Sequence, residues 1–369
     1  MGLLGWFTKK PHAPKKAAPA PAPKKVAAAP PPPAENTGGG MLATTPNTED
    51  QVFGGTVATG LTRYLQSQAQ EMRTAGDKQL VSMLLRAVRN DGVEIPAMPG
   101  DLMEIQRMLA SADTEPADLA KAVQRDPSIA AKFVSVANSP LYRGIREVSS
   151  VREALSRVGL NHGGMILLAI ISSSKLFKVP GYEAEAKWLH RHSLSTAIIA
   201  QFLARKVGAN EQSAFMAGLL HDLGRVFMLS TAHEVWRTSK GEATPSPETV
   251  AHLTDHLHAG FSALTAQLWS YDASVVTALQ HHEVSGEEGG HIVAMVPPEH
   301  ETLTQLIAVG NLIDQHLEDP EELPEAAHEL MAGLGLTDID EVLTSAQETA
   351  WTFLDDLGLD RVPNPRKSA

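Results

Sequence analysis

The sequence predicts an all-helical protein preceded by a tail rich in Pro, Ala and Lys, on three observations. From about Gly55 onward apolar residues recur at every third or fourth position, the repeat of a helix with one face turned inward. Alternation of period two, which would mark strands, is hard to find. Aromatic residues make up only 5% of the chain against 43% hydrophobic residues overall, so the core must be built from Leu, Ala, Val, Ile and Met, a mix that favours helices. At 369 residues the chain is long enough for one large or two modest domains and for a substantial core.

The elements follow in order. Residues 1–54 are expected to be a disordered tether, since nine prolines lie between Pro11 and Pro33 and Gly38-Gly39-Gly40 interrupts the chain soon after. The apolar opening Leu3, Leu4, Trp6 and Phe7 with the following lysines leaves open a weak docking on a membrane or partner beside the plain linker reading. A helical extension spans 55–90, with Leu80 to Val88 one amphipathic segment, and Leu102 to Leu109 gives another. Glu115 to Gln124 is a helix with Thr114 as its N-cap. Ser150 and Glu153 form a capping box for a helix through Val158, which Gly159 ends. Gly163 to Leu176 is apolar on nearly all faces and is expected to be central.

Long helices are expected near Ala184 to Val207 and Glu211 to Leu229, with Gly208 between them. Pro247 occupies the first turn of a helix leading to Trp269, and residues 273–283 form a shorter one. Gly286 through Pro298 reads as a glycine-bearing excursion, after which helices resume at about Glu301 to Leu317 and at Asp338 to Leu357, the last with Thr337 as its N-cap. Residues 321–369 are assigned to C-terminal helices and a tail.

Composition excludes several functions. No cysteine is present, so disulfides, zinc-thiolate sites and cysteine nucleophiles are ruled out, and metal chemistry must use nitrogen and oxygen ligands. Residues 1–34 carry six lysines and no acid, and the remaining 335 residues hold 25 basic against 43 acidic side chains. A body so acidic lacks the basic face that phosphate contacts need, which argues against nucleic acid as a partner. No apolar run reaches the roughly 20 residues that span a bilayer, and the apolar start is too short for a signal-peptide core, so a cytoplasmic protein is expected.

The chemistry concentrates in Gly218-Leu219-Leu220-His221-Asp222-Leu223-Gly224-Arg225. An imidazole beside a carboxylate suits a divalent metal, and neighbouring helical residues about 100° apart can converge on one ion at a helix edge. His192, His258, His281 and His282 supply further candidates, and nine of the fifteen histidines lie between His190 and His282. Two readings stay open at this point: a metal centre, or histidines packed in a helical core and hydrogen-bonded to one another and to Asp222. The block Asn138-Ser139-Pro140-Leu141-Tyr142 also has two readings, turn chemistry that ends a helix or part of an inter-lobe surface recognised by partners.

Two regions together resemble one family. The stretch Arg125-Asp126-Pro127 through Asn138-Ser139-Pro140-Leu141-Tyr142, followed by Ser149-Ser150-Val151-Arg152-Glu153-Ala154-Leu155, is similar to the N-terminal half of the HDOD domain. Trp188-Leu189-His190-Arg191-His192-Ser193, the His221-Asp222 segment, His258 and His281-His282 resemble its C-terminal half in identity and order. HDOD domains are bacterial signalling modules distantly related to HD-type metal-dependent phosphohydrolases. The resemblance implies an HDOD domain over 91–320, with an N-terminal helical lobe at 91–180 and a degenerate HD-like lobe at 181–320.

The resemblance also carries expectations for the site. Its metal ligands map to His192, His221 and Asp222, and the position most like the usual late-helix aspartate ligand is Asn311, a neutral and poorer ligand. His258, His281 and His282 match a second metal position of the related HD-GYP cyclic-di-GMP phosphodiesterases. Arg225 stands where those enzymes carry lysine, and no Gly-Tyr-Pro follows His281-His282-Glu283. The implied function is a regulatory or scaffold module of signal transduction acting through other signalling proteins, in two-component or cyclic-di-nucleotide systems, without catalysis. The alternative is a metal-dependent phosphohydrolase acting on a nucleotide or cyclic dinucleotide, and a nucleotide-binding sensor without turnover stands between them. No cofactor is required by the first reading; a divalent Fe, Mn, Mg or Ni ion is what the donor types would accept.

Overall fold

A computed structural model describes residues 56–359 apart from 112, 141, 143, 284–295 and 319–322, together with 362, 363 and 365. Helices account for all the regular structure of the described residues. The tether expected over 1–54 and most of the excursion from Gly286 lie outside those residues. No described helix is long and apolar enough to cross a membrane.

Two helices, α1 (Thr56–Glu71) and α2 (Ala75–Val88), precede the first lobe. That lobe comprises α3 (Gly100–Ala110), α4 (Pro116–Val123), α5 (Pro127–Ala137), α6 (Val151–Val158) and α7 (Leu160–Lys175), with α3, α5 and α6 packed on α7 and α4 packed on α6. Its boundaries follow from local chemistry. Asp126 caps α5 by accepting from Ser128 N at 2.9 Å and Ile129 N at 3.2 Å, and Pro127 fills the first helical position, where no amide partner is needed. Ser150 accepts from Glu153 N at 3.2 Å, and Gly159 at φ 89° terminates α6.

The second lobe is arranged around α8 (Glu183–Val207). Against it lie α9 (Glu211–Leu220) and α13 (Pro298–Glu318), while α10 (Leu223–Thr238), α11 (Pro247–Leu268) and α12 (Ala273–Gln280) complete the bundle by packing in succession. Every residue of α8 from Trp188 to Ala200 is buried, including Arg191, His192, Ser193, Ser195 and Thr196. The apolar α7 is also largely buried, but α8 holds the centre of the second lobe. The extension α1–α2 covers the second lobe, on α11 and α10 respectively. Finally α14 (Glu325–Gly333) packs on α13, and α15 (Ile339–Asp356) packs along α8.

Four expectations are corrected. The helix expected over Glu211 to Leu229 is two helices, broken at His221 and Asp222. Glu115, not Thr114, precedes α4 and makes no side-chain cap, because Pro116 itself starts the helix. Asp338, not Thr337, caps α15, its carboxylate accepting from Glu341 N at 3.1 Å. The helix expected over 273–283 ends at Gln280, so that His281 and His282 lie beyond its last turn.

Candidate metal centre

The break between α9 and α10 is what shapes the site. His221 ends α9, and Asp222, at φ −103° and ψ 11°, opens α10 in a new direction. The two side chains therefore converge from a corner between helices and not from the edge of one helix. Two glycines permit the corner to form. A Cβ on Gly218 would lie 2.5 Å from Ala197 Cα of α8, and one on Gly224 would lie 2.0 Å from the His258 carbonyl oxygen of α11. Any larger residue would push α9 off α8 or α10 off α11. Gly224 N also donates to Ser262 Oγ at 2.8 Å, tying the start of α10 to α11.

Four imidazoles meet at Asp222. His221 Nε2 is 3.2 Å from His192 Nε2, and Asp222 Oδ2 lies 3.7 Å from His192 Nε2 and 3.9 Å from His221 Nε2. Asp222 Oδ1 lies 3.5 Å from His258 Nε2 and 3.9 Å from His282 Nε2. The donor atoms thus form two overlapping groups, His192–His221–Asp222 and Asp222–His258–His282, each within 4.8 Å, that share one carboxylate through different oxygens.

Every ring is oriented through its other nitrogen. Nδ1 of His221, His258 and His282 lies 2.7 Å from Gly218 O, 2.9 Å from Thr254 O and 2.8 Å from Leu279 O. A carbonyl can only accept, so each Nδ1 carries a proton; Nε2 of His221 and of His282 faces the centre, while Nε2 of His258 lies between Glu283 Oε1 at 2.9 Å and Arg225 Nη2 at 3.2 Å. His192 Nδ1 lies 2.6 Å from Asp314 Oδ2, and the ring stacks on Trp188 at 5.2 Å and 4°. Behind it, Arg191 pairs with Asp314 at 3.3 Å and with Glu318, whose carboxylate also accepts from Trp188 Nε1 at 3.1 Å. Such a carboxylate-backed imidazole is the usual support of a metal ligand.

Electrostatics sharpens the picture. Burial pushes His221 down to about 3 and His282 down to about 4, so both rings are neutral at physiological pH. Burial opposes protonation of His192 too, but the hydrogen bond and charge of Asp314 outweigh it and raise its pKa. Burial would lift Asp222, yet the adjacent Arg225 guanidinium and the imidazoles hold it well below the usual carboxylate range. The neutral rings of His221 and His282, both buried beside the Asp222 carboxylate, suit a cation. His282 Nε2 is fully enclosed and has no hydrogen-bond partner. These residues fit a divalent first-row metal, with nitrogen and oxygen donors in the number and tautomer that such an ion takes.

The candidates from sequence divide as follows. His192, His221, Asp222, His258 and His282 are brought together. His281 is half-buried and outside both groups. Asn311 is buried, and its Oδ1 accepts from Gln315 Nε2 at 3.0 Å. The acid of that helix which reaches the site is Asp314, one turn further on and behind His192. Arg191, Glu283, Asp255 and Glu318 were not anticipated. Only Arg191 and Glu283, adjacent in sequence to the candidate ligands, carried a signal that could have marked them.

Distinct from this centre, a cleft of about 1020 Å³ opens between α7, α8, α9 and α15, lined by Tyr142, His162, Met165, Phe202, Phe215 and Phe353 among others, and by none of the ligands. Tyr142 there pairs with His162 through its hydroxyl.

Comparison with known proteins gives one family and one fold. The model of the HDOD domain matches residues 95–285. An uncharacterized protein of Treponema pallidum is 23% identical over 267 residues, which is 70% of this chain but 50% of the relative, so the chain spans about half the length of the curated relative it matches. Among solved structures, a Shewanella amazonensis protein provisionally named a metal-dependent phosphohydrolase superposes with a TM-score of 0.56 at 19% identity, covering 78% of this chain and 100% of its own. An HDOD domain protein of unknown function from Geobacter sulfurreducens gives 0.52 at 22% identity, with 78% and 99% covered. A Marinobacter aquaeolei protein provisionally named for signal transduction gives 0.52 at 19%, with 82% and 66% covered. At these identities the likeness is one of fold.

Proposed function

The chain belongs to the HDOD domain family, and from that premise we propose that it is a regulatory module of signal transduction whose second lobe is held together by a divalent metal at His192, His221 and Asp222, and which acts by binding other signalling proteins and not by turnover. Such an ion, when bound in an open site, acidifies a water and polarises phosphoryl oxygens. What the surrounding residues do here favours holding over reacting. Asp314 and the Gly218 carbonyl fix the rings of His192 and His221, and the stacked Trp188 closes the side of His192 against water.

The observation that carries the reading is the enclosure of the ligand set. His192, His221 and Asp222 are 3%, 0% and 3% exposed, and the cation beside them, Arg225, is engaged by Asp222, Asp255 and Glu283 instead of being available to a phosphate. A phosphohydrolase needs its metal reachable by substrate and a cation free to take the phosphoryl charge. The likeness to a protein named for signal transduction and the strongly acidic body agree with a partner that is a protein of a two-component or cyclic-di-nucleotide system and not a nucleic acid.

The hydrolase reading rests on one feature, the unpartnered Nε2 of His282 beside Asp222. Elemental analysis of the purified chain and of His221→Ala and Asp222→Ala, followed by a phosphodiester screen of the Mn-loaded protein, tests both. Near-stoichiometric metal, lost in both variants, with no hydrolysis is expected. Metal-dependent turnover lost in the same variants would replace the scaffold with an enzyme.

A further inference from the structure

Asp222 bridges its two groups of imidazoles as a carboxylate bridges a pair of metal ions, Oδ2 facing His192 and His221 and Oδ1 facing His258 and His282. By donor count alone the centre could take two ions about 3.5–4 Å apart. One element of the second group is different. Arg225, three residues after Asp222 and so on the same side of α10, lays its guanidinium across it: Nε donates to Asp222 Oδ1 at 2.9 Å, and Nη2 lies 3.2 Å from His258 Nε2. From outside, Asp255 Oδ1 receives Nη1 at 2.8 Å and Glu283 Oε1 receives Nη2 at 3.1 Å.

We propose that the Arg225 guanidinium is a built-in cation that occupies the place of a second metal ion, so that the centre accepts one ion, at His192, His221 and Asp222, and excludes another. The proposal rests on the metal reading above and goes beyond it by setting the stoichiometry. The reasoning is one of lone pairs. An ion in the second group would need Asp222 Oδ1, His258 Nε2 and His282 Nε2 at bonding distance. Two of those three atoms already face N–H groups of the guanidinium. Only His282 Nε2 is left, and it is the atom with no partner.

Arginine suits this role where lysine would not. Its planar fork reaches Asp222, His258, Glu283 and Asp255 at once, whereas an ammonium is a single point of charge. It also stays charged at any physiological pH, so it cannot vacate the position by losing a proton. The anchoring carboxylates are graded outward: the Asp222 side chain is 4% exposed, while those of Glu283 and Asp255 are 44% and 53% exposed. The guanidinium is therefore held between a buried anion that a metal also wants and two rim anions that keep it there.

The test is the number of ions bound by the full chain, purified without a histidine tag, loaded with Mn(II) and freed of excess by gel filtration. One ion per chain is expected for the parent protein and two for Arg225→Ala. The pair should show exchange coupling in the Mn(II) EPR spectrum, which separates adjacent ions from any held on the surface by His252 and His256. Arg225→Gln, which keeps bulk and a donor toward Asp222 but removes the charge, repeats the measurement should the alanine variant not fold. Two coupled ions in the parent protein, or one ion in both variants, would overturn the proposal and leave the metal reading standing. No ion in any form would end both. No ion in the parent but one in a variant would remove the His192 site as a metal centre and retain Arg225 as the excluding cation.

Discussion

The two lobes use their enclosed polar groups in opposite ways. In the first, half-buried groups are closed on each other: Asn138 gives its Nδ2 to Val148 O and takes Val148 N on Oδ1, both at 2.9 Å, and Arg157 donates to Ala137 O at 3.0 Å and Asn138 Oδ1 at 2.9 Å. Each donor has its acceptor, so the Asn138–Tyr142 block acts chiefly as a clasp that ends α5 and pins the strand of chain before α6. In the second lobe, a far denser set of buried polar groups gathers four imidazoles on one carboxylate and leaves His282 Nε2 without a partner. Saturation makes structure; unsaturation gathered in one place makes a binding site.

The largest effect expected from breaking this contrast is at Asp222. Asp222→Ala removes the one group common to both imidazole sets and leaves Arg225 without its buried partner, so a loss of about 3–5 kcal/mol in urea unfolding is expected along with loss of metal. Gly224→Ala probes the same centre without touching a ligand. Its Cβ would stand 2.0 Å from the His258 carbonyl, forcing α10 away from α11, and at least a tenfold fall in metal affinity by titration is expected. Unchanged affinity would mean that the corner tolerates a shift the packing does not suggest.

Next in size is the first-lobe counterpart. Asn138→Ala opens the clasp and strands the amide and carbonyl of Val148, which should cost about 2–3 kcal/mol of stability. Metal content should not change. A variant that retained stability but lost a signalling partner would return the block to its alternative role as a recognised surface, with Tyr142 in the inter-lobe cleft as the residue to examine next.

Most of the fold was legible because helix periodicity and caps are local: the α6 capping box, the αL Gly208 after α8 and Pro247 at the start of α11 all act within a few residues. The candidate ligands were legible for a different reason, since imidazole and carboxylate are the strongest metal donors left to a chain without cysteine. What escaped was non-local. The break at His221–Asp222 interrupts an apolar run that nothing in the run itself ends; it is imposed by close packing of Gly218 on α8 and Gly224 on α11. Asp314 was passed over for Asn311 because one turn of α13 decides which side chain meets His192, and helical register against another helix is not written in either helix alone. The role of Arg225 depends on Asp255 and Glu283, 30 and 58 residues away along the chain.

The smallest effect sits where the lobes meet. His190, two residues before His192 on α8, points the other way, with its Nε2 3.1 Å from Ser172 Oγ and 3.2 Å from Ala169 O of α7. Burial pushes its pKa down to about 4, only partly offset by the Ala169 carbonyl. A histidine depressed in the fold binds a proton more readily when unfolded, so its contribution is complete above the unfolded value near 6.5 and is lost as pH falls toward 4. That amounts to roughly 1.4 kcal/mol per pH unit and about 3 kcal/mol across the window. His221 and His282 slope the same way, so the quantity to read is the difference between parent and His190→Gln in metal-free urea titrations at pH 7, 6 and 5. The variant should be the less stable at pH 7, and the gap should close as the pH falls. A gap independent of pH would show that His190 takes up its proton as readily in the fold as in the unfolded chain, and that the inter-lobe joint is wetter than its packing allows.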